Sequence, residues 1–132
     1  METNNSKATR TYFITMGAFW LVFGLITIFK PAIMNKFQTE EGINSVTAYS
    51  DHIWRHDGFD ILSLCVVLFA LSRETVSRRI LNATAIVGLL VVVAVSSSLL
   101  TTNYWNSMFV VPGVCCLGFA IWGFSLARKA GG

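Results

Sequence analysis

The sequence predicts an all-α integral membrane protein: a single domain, residues 1–132, of four antiparallel transmembrane helices with both termini on the cytoplasmic side. Three observations predict it. First, 54% of the residues are hydrophobic and only 13% are charged, against about 25% charged in soluble domains. Second, four segments have, or can be extended to, the ~20 residues that cross a ~30 Å hydrocarbon core. Third, the basic residues flank those segments and fall mainly on one side of the membrane.

The first expected span is 11–29, TYFITMGAFWLVFGLITIF. At 1.5 Å per residue this run covers about 28 Å. It exceeds a signal-peptide apolar region, and the Lys30-Pro31-Ala32-Ile33-Met34 that follows is no small-residue cleavage site, so it reads as a retained span. Pro31 ends it, because proline lacks a donor and disfavours helix at Lys30. The outer loop is expected over 30–52, carrying Lys36, Glu40, Glu41 and Gly42, with AIMNKF as a short interfacial turn.

The second span is expected over 53–72. Its clean apolar run is only Ile61–Leu71, and extending it brings in Arg55, His56, Asp57 and Asp60. A short re-entrant element is the alternative. The full span is preferred because it keeps the basic clusters on one side.

The third span, 80–101, is rich in β-branched residues, which in water would favour a strand. In lipid a run of this length is a helix, because only a helix satisfies its own backbone. The connector Asn103-Tyr104-Trp105-Asn106 has no charge, and its aromatic rings suit the bilayer interface. The fourth span is expected over 108–127, with Pro112 and Gly113 permitting a kink. With the N-terminus inside, Lys7, Arg10, Arg73, Arg78, Arg79, Arg128 and Lys129 are inner, and Lys30, Lys36 and Arg55 are outer. That bias sets the direction.

Several function classes are set aside. The net charge of +3 arises from residues flanking apolar segments, so no nucleic-acid partner is expected. No phosphate-loop, dinucleotide-binding, serine-hydrolase elbow or zinc-protease motif occurs. No lysine lies inside a span to form a retinal-type Schiff base. Cys65, Cys115 and Cys116 sit in apolar runs and read as packing residues, and adjacent Cys115 and Cys116 point to different faces of a helix.

The informative stretch is Asp51-His52-Ile53-Trp54-Arg55-His56-Asp57-Gly58-Phe59-Asp60. At 100° per residue, His52, His56, Asp60 and Ser63 fall within an arc of about 80°, with Arg55 at its border. Trp54, Ile61 and Cys65 lie opposite. Ionisable groups at membrane depth usually face a bundle interior, so the stripe is expected to point inward. Asp60 lies ~18 Å from the inner end of its span, about 12 Å below the outer surface. Ser96, Ser97 and Ser98 of the third span reach the level of the histidines. A polar pocket in the outer half is therefore expected, roofed by the first loop and by Asn103–Asn106.

Three readings of this cluster stay open. In one, the groups fix helix packing, with Asp51 paired to Arg55 and Asp60 to a histidine or serine. In the second, His56 and Asp60 are proton donor and acceptor for a lipophilic substrate that His52, Arg55, Ser97 and Tyr104 bind and orient. The third is a metal site, favoured by His at i and i+4. Against it, His52 and Asp60 are ~12 Å apart along the axis, and one ion cannot take all three groups at ~2 Å. No metal ligand is assigned and no cofactor is identified.

The layout resembles DoxX-like small four-helix membrane proteins. The features that carry the likeness are a basic residue before a glycine-containing first span, Pro31 after it, a mixed outer loop, and Arg55-x-x-Gly58 entering the second span. Phe59 stands where those proteins often carry a second glycine. The resemblance implies a four-helix bundle and a link to redox or lipid-soluble metabolites. It transfers no catalytic residue.

The functional expectation is a multi-pass protein of a plasma membrane or endomembrane that binds a lipophilic small molecule. Acid–base catalysis of an isomerisation, cyclisation or oxidation would use the His/Asp pair. The alternatives are a non-catalytic accessory subunit of a larger membrane complex, or a small homo-oligomeric transporter. An enzyme needs His56 and Asp60 and tolerates changes on its lipid-facing surface; an accessory subunit shows the reverse.

Overall fold

A computed structural model describes residues 3–4, 7–45 and 48–130. Its helices are α1 (Lys7–Phe29), a short α2 (Glu40–Asn44), α3 (Ala48–Leu71), α4 (Arg78–Thr101) and α5 (Val110–Lys129). One-turn-to-two-turn 3-10 segments cover Pro31–Phe37 and Ser107–Phe109. Two short strands, β1 (Thr3–Asn4) and β2 (Val76–Ser77), pair antiparallel with Thr3 opposite Ser77. Three helical segments, Lys7–Phe29, Arg78–Thr101 and Ser107–Lys129, are long and apolar enough to cross a bilayer. The chain is thus a helical protein of multi-pass membrane type. α3 has the length, but Arg55, Asp57 and Asp60 interrupt its apolar character.

The ends of these elements follow from local chemistry. Pro31 stops α1 and opens the 3-10 segment, where its missing N–H is no loss. Ser77 caps α4 by accepting from the Ile80 amide at 3.4 Å, and Thr39 caps α2 by accepting from the Gly42 amide at 3.2 Å. Pro112 falls in the first turn of α5, where an absent donor costs no intrahelical bond, so the helix begins around it.

Packing divides the molecule into two helix pairs. α1 lies along α3, α4 lies along α5, and α1 meets α5 at the seam between the pairs. Tyr12 and Phe13 of α1 are fully buried there, with the Tyr12 ring edge-on to Trp122 of α5 at 5.4 Å. Phe19 and Phe119 make a second ring contact across the same seam at 5.6 Å. Met16, Leu68, Leu81 and Cys116 complete the core. α3 and α4 do not pack along each other, which leaves a cleft between them.

Within the pairs, glycine sets the approach of the helices. A Cβ on Gly58 of α3 would stand 3.0 Å from the Gly24 carbonyl oxygen and 2.6 Å from Ile28 of α1. A Cβ on Gly88 of α4 would stand 3.0 Å from the Cys116 carbonyl oxygen of α5. Small residues at such crossings let backbones approach where water supplies no driving force. The opposite faces of α4 and α5 are exposed aliphatic surface, including Leu90, Val93, Leu100, Val114 and Ile121. A continuous apolar surface of that kind suits lipid rather than water.

One end of the molecule is clasped. The Thr39 amide donates to the Tyr104 carbonyl at 2.9 Å, and the Asn106 amide donates to the Phe37 carbonyl at 2.9 Å. The Asn106 side chain donates to the carbonyls of Lys36 and Gln38 at 2.7 and 2.9 Å. The first loop and the 102–106 connector are thereby held together. At the other end, β1 ties the N-terminal segment to β2 in the α3–α4 connector, where Val76 is fully buried.

Candidate functional site

α3 has the two faces that its sequence sets out, turned the other way from the expectation. Gly58, Cys65 and Leu68 are buried and Trp54, Ile61 and Leu62 are half-buried, all towards the rest of the bundle. His52, His56, Asp60 and Ser63 are exposed on the opposite side, and Arg55 is exposed at its border. The expected inward stripe is therefore an outward one. The reason is the α1–α3 crossing: Gly58 must lie against Gly24 and Ile28, and no side chain fits between them. Within about a sixth of a turn on either side of Gly58 lie Ile61, Leu62 and Cys65, which the same contact buries.

His56 and Asp60 are brought together, with Nδ1 and Oδ2 at 3.6 Å. That separation is an electrostatic contact and exceeds a hydrogen bond. Their side chains are 79% and 73% exposed. His52 and Arg55 share the helix, and among the described residues neither forms an ion pair with His56 or Asp60. Ser97 is exposed on α4, which does not pack on α3, so it joins no cluster with the histidines. Tyr104 is exposed in the clasp, where its carbonyl accepts from Thr39. The expected Asp51–Arg55 pair involves a side chain outside the described residues. Ser63 has its hydroxyl satisfied by its own helix, donating to the Phe59 carbonyl at 3.0 Å.

The first loop and the 102–106 connector meet, and among the described residues their junction is packed with aromatic rings. Trp54 of α3 meets Trp105 edge-on at 5.8 Å, and Trp105 stacks on Phe109 at 4.1 Å. Phe23 and Phe37 add a further contact at 6.4 Å.

Among the described residues, a cleft lies between α3 and α4. It has a volume of about 290 Å³, near the lower end for small-molecule sites. Met16 and Trp20 of α1 form its floor, Ile61 and Leu64 of α3 one wall, and Gly88 and Val91 of α4 the other. Asp60 stands at its lip as the sole ionisable lining group. Trp20 is nearly buried, and its indole N–H finds no hydrogen-bond partner among the described residues. Trp20 and Gly88 were absent from the site expected from sequence. The one available signal was Trp20's place in mid-span, away from the interfaces where tryptophan concentrates.

Among the described residues, no three His, Cys, Asp or Glu side chains stand close enough to hold a metal ion. All three cysteines are free thiols, with Cys65 and Cys116 buried. Compared with protein-family models, curated proteins and solved structures, the chain matches none.

Proposed function

We propose that this protein crosses the membrane four times, with both termini inside, and holds a lipophilic small molecule in the lipid-open cleft between α1, α3 and α4. The resemblance to DoxX-like proteins implies the four-helix bundle and a lipid-soluble metabolite, and the placement of basic residues implies the orientation. Asp60 is the polar contact, and His56 is its proton partner. The observation that carries the reading is the placement of Asp60 as the one ionisable group on an otherwise apolar cleft floored by Met16 and Trp20. A carboxylate ~12 Å below the surface costs roughly 2.5–3.5 kcal/mol on insertion scales, so retaining one at a cavity mouth calls for a compensating role. Apolar walls with one convergent polar group suit a ligand with a hydrocarbon body and a hydroxyl, amine or enolisable carbonyl.

The His56–Asp60 contact gives the site acid–base capacity. A carboxylate beside an imidazole can remove a proton from such a ligand and return it elsewhere, and an isomerisation of that kind needs no further reactant. His52 and Arg55, one turn towards the outer end, suit the ligand's polar head.

The test is mass spectrometry of small molecules carried by the protein in lipid nanodiscs, comparing wild type, Asp60→Asn and Val91→Trp. Val91→Trp fills the cleft from the α4 wall. A lipophile retained by wild type, weakened by Asp60→Asn and lost from Val91→Trp is the expected result. Equal retention by Val91→Trp, or nothing beyond bulk lipid on wild type, would refute the reading.

The outward direction of the α3 stripe favours a second reading, an assembly subunit whose polar face is covered by protein. The two readings are compatible, since the cleft and the stripe meet at Asp60.

A further inference from the structure

The geometry points to a parallel two-fold dimer of this chain, formed by the outward face of α3, in which Arg55 of each copy pairs with Asp60 of the other. The inference goes beyond the ligand reading and rests only on α3 lying in the membrane. It begins with spacing. Down the exposed face of α3 come His52, His56, Phe59, Ser63, Val66 and Ala70, separated by four, three, four, three and four residues. That alternation is the heptad seam of a helix pair. All six are exposed in the single chain, Phe59 by 60% and Val66 by 70%. The seam lies across α3 from Gly58 and Cys65, which face α1, so it is free to meet a second helix.

Composition along the seam suits close approach. Ser63 and Ala70 are small, and the Ser63 hydroxyl already donates to its own helix, so neither needs a polar partner. Val66 and Phe59 supply apolar contact. His56 at a central seam position is the type of polar residue that fixes register and favours one oligomeric state.

Charge decides the occupant. Arg55 and Asp60 flank the seam on opposite sides, five residues apart, which is the offset at which flanking residues meet across a parallel pair. Among the described residues, Arg55 makes no ion pair and Asp60 meets only His56. Copies of one integral protein share one orientation, so α3 meets α3 in parallel and the two-fold axis makes the contact twice. A different partner would have to supply both an acid and a base at these levels; a second copy supplies them by symmetry. Pairing also removes an Arg and an Asp from lipid, where exposed charges are costly. The partner's Arg55 then stands beside Asp60 at the mouth of the cleft, so the dimer would complete the polar rim of each site.

The test is disulfide trapping in native-like bilayers together with charge exchange. In a background of Cys65→Ala, Cys115→Ala and Cys116→Ala, Ser63→Cys and Ala70→Cys should cross-link under mild oxidant, because small seam positions approach within the ~7 Å Cα separation a disulfide needs. Leu90→Cys, on the lipid face of α4, should not. Separately, with native cysteines retained, Arg55→Asp should weaken dimerisation by roughly tenfold or more. Adding Asp60→Arg should restore it. Cross-linking of Ser63→Cys no greater than that of Leu90→Cys overturns the proposal, as does a charge exchange that fails to restore what Arg55→Asp lost. The ligand reading fails on a different result, retention of ligand by Val91→Trp, so the two are separable.

Discussion

Gly58 of α3 lies directly against Gly24 of α1, and a β-carbon added at Gly58 would stand 2.6 Å from Ile28 and 3.0 Å from the Gly24 carbonyl oxygen. This crossing orients α3, and through α3 it sets which residues reach the cleft and which face outward. Gly58→Leu should push the helices apart, costing at least the ~1–3 kcal/mol of an overpacked core. Thermal unfolding in detergent checks it, with Leu90→Ala on the lipid-facing surface expected to stay within ~0.5 kcal/mol of wild type.

Asn106 joins the two connectors at the clasped end through its side-chain amide, and its carbonyl oxygen accepts from the Met108 amide at 2.9 Å. Asn106→Ala removes all three side-chain bonds. At about 1 kcal/mol each the expected loss is ~2–3 kcal/mol, confined to the clasp. Hydrogen exchange should rise over residues 36–39 and 103–108 and stay unchanged along α4. A uniform rise over the whole chain would contradict a local clasp.

The Asp60 side chain is exposed in the single chain and, among the described residues, makes no contact beyond His56 that holds the fold. Asp60→Asn is therefore expected to leave the unfolding temperature in detergent unchanged or raised, while ligand retention falls. A lowered unfolding temperature with no separate loss of ligand would make the cluster a packing device.

The proposed four-crossing arrangement predicts an accessibility pattern. A membrane-impermeant thiol reagent should label Lys36→Cys and Asn103→Cys in intact cells, and Arg73→Cys only after permeabilisation. Labelling of all three from outside would mean that α3 enters and leaves on one side. The native thiols should respond differently in purified protein: Cys115 is half-buried and should react first, with Cys65 and Cys116 protected until unfolding.

Much of the helical framework was legible because lipid-compatible helices declare themselves in consecutive residues. α1, α4 and α5 coincide with apolar runs bounded by Pro31, Ser77 and Arg128, and the boundaries differ from expectation only by the few residues that caps and 3-10 turns absorb. The His56–Asp60 contact was legible for a similar reason, since an i, i+4 pair meets on any helix. The cleft was not. Trp20, Ile61 and Gly88 belong to three helices, and nothing in any one of them states that α3 and α4 stand apart.

What the sequence alone determined is therefore what a single helix determines: its length, its ends, and the division of α3 into a stripe of His52, His56, Asp60 and Ser63 opposite Trp54, Ile61 and Cys65. What only the tertiary structure decided is which of those faces turned inward. The general preference of ionisable groups for a bundle interior argued for the polar stripe. The contact of Gly58 with Gly24 and Ile28 settled it the other way, because backbone approach at one crossing rotates every side chain on the helix together, and that approach depends on residues thirty or more positions apart in the chain.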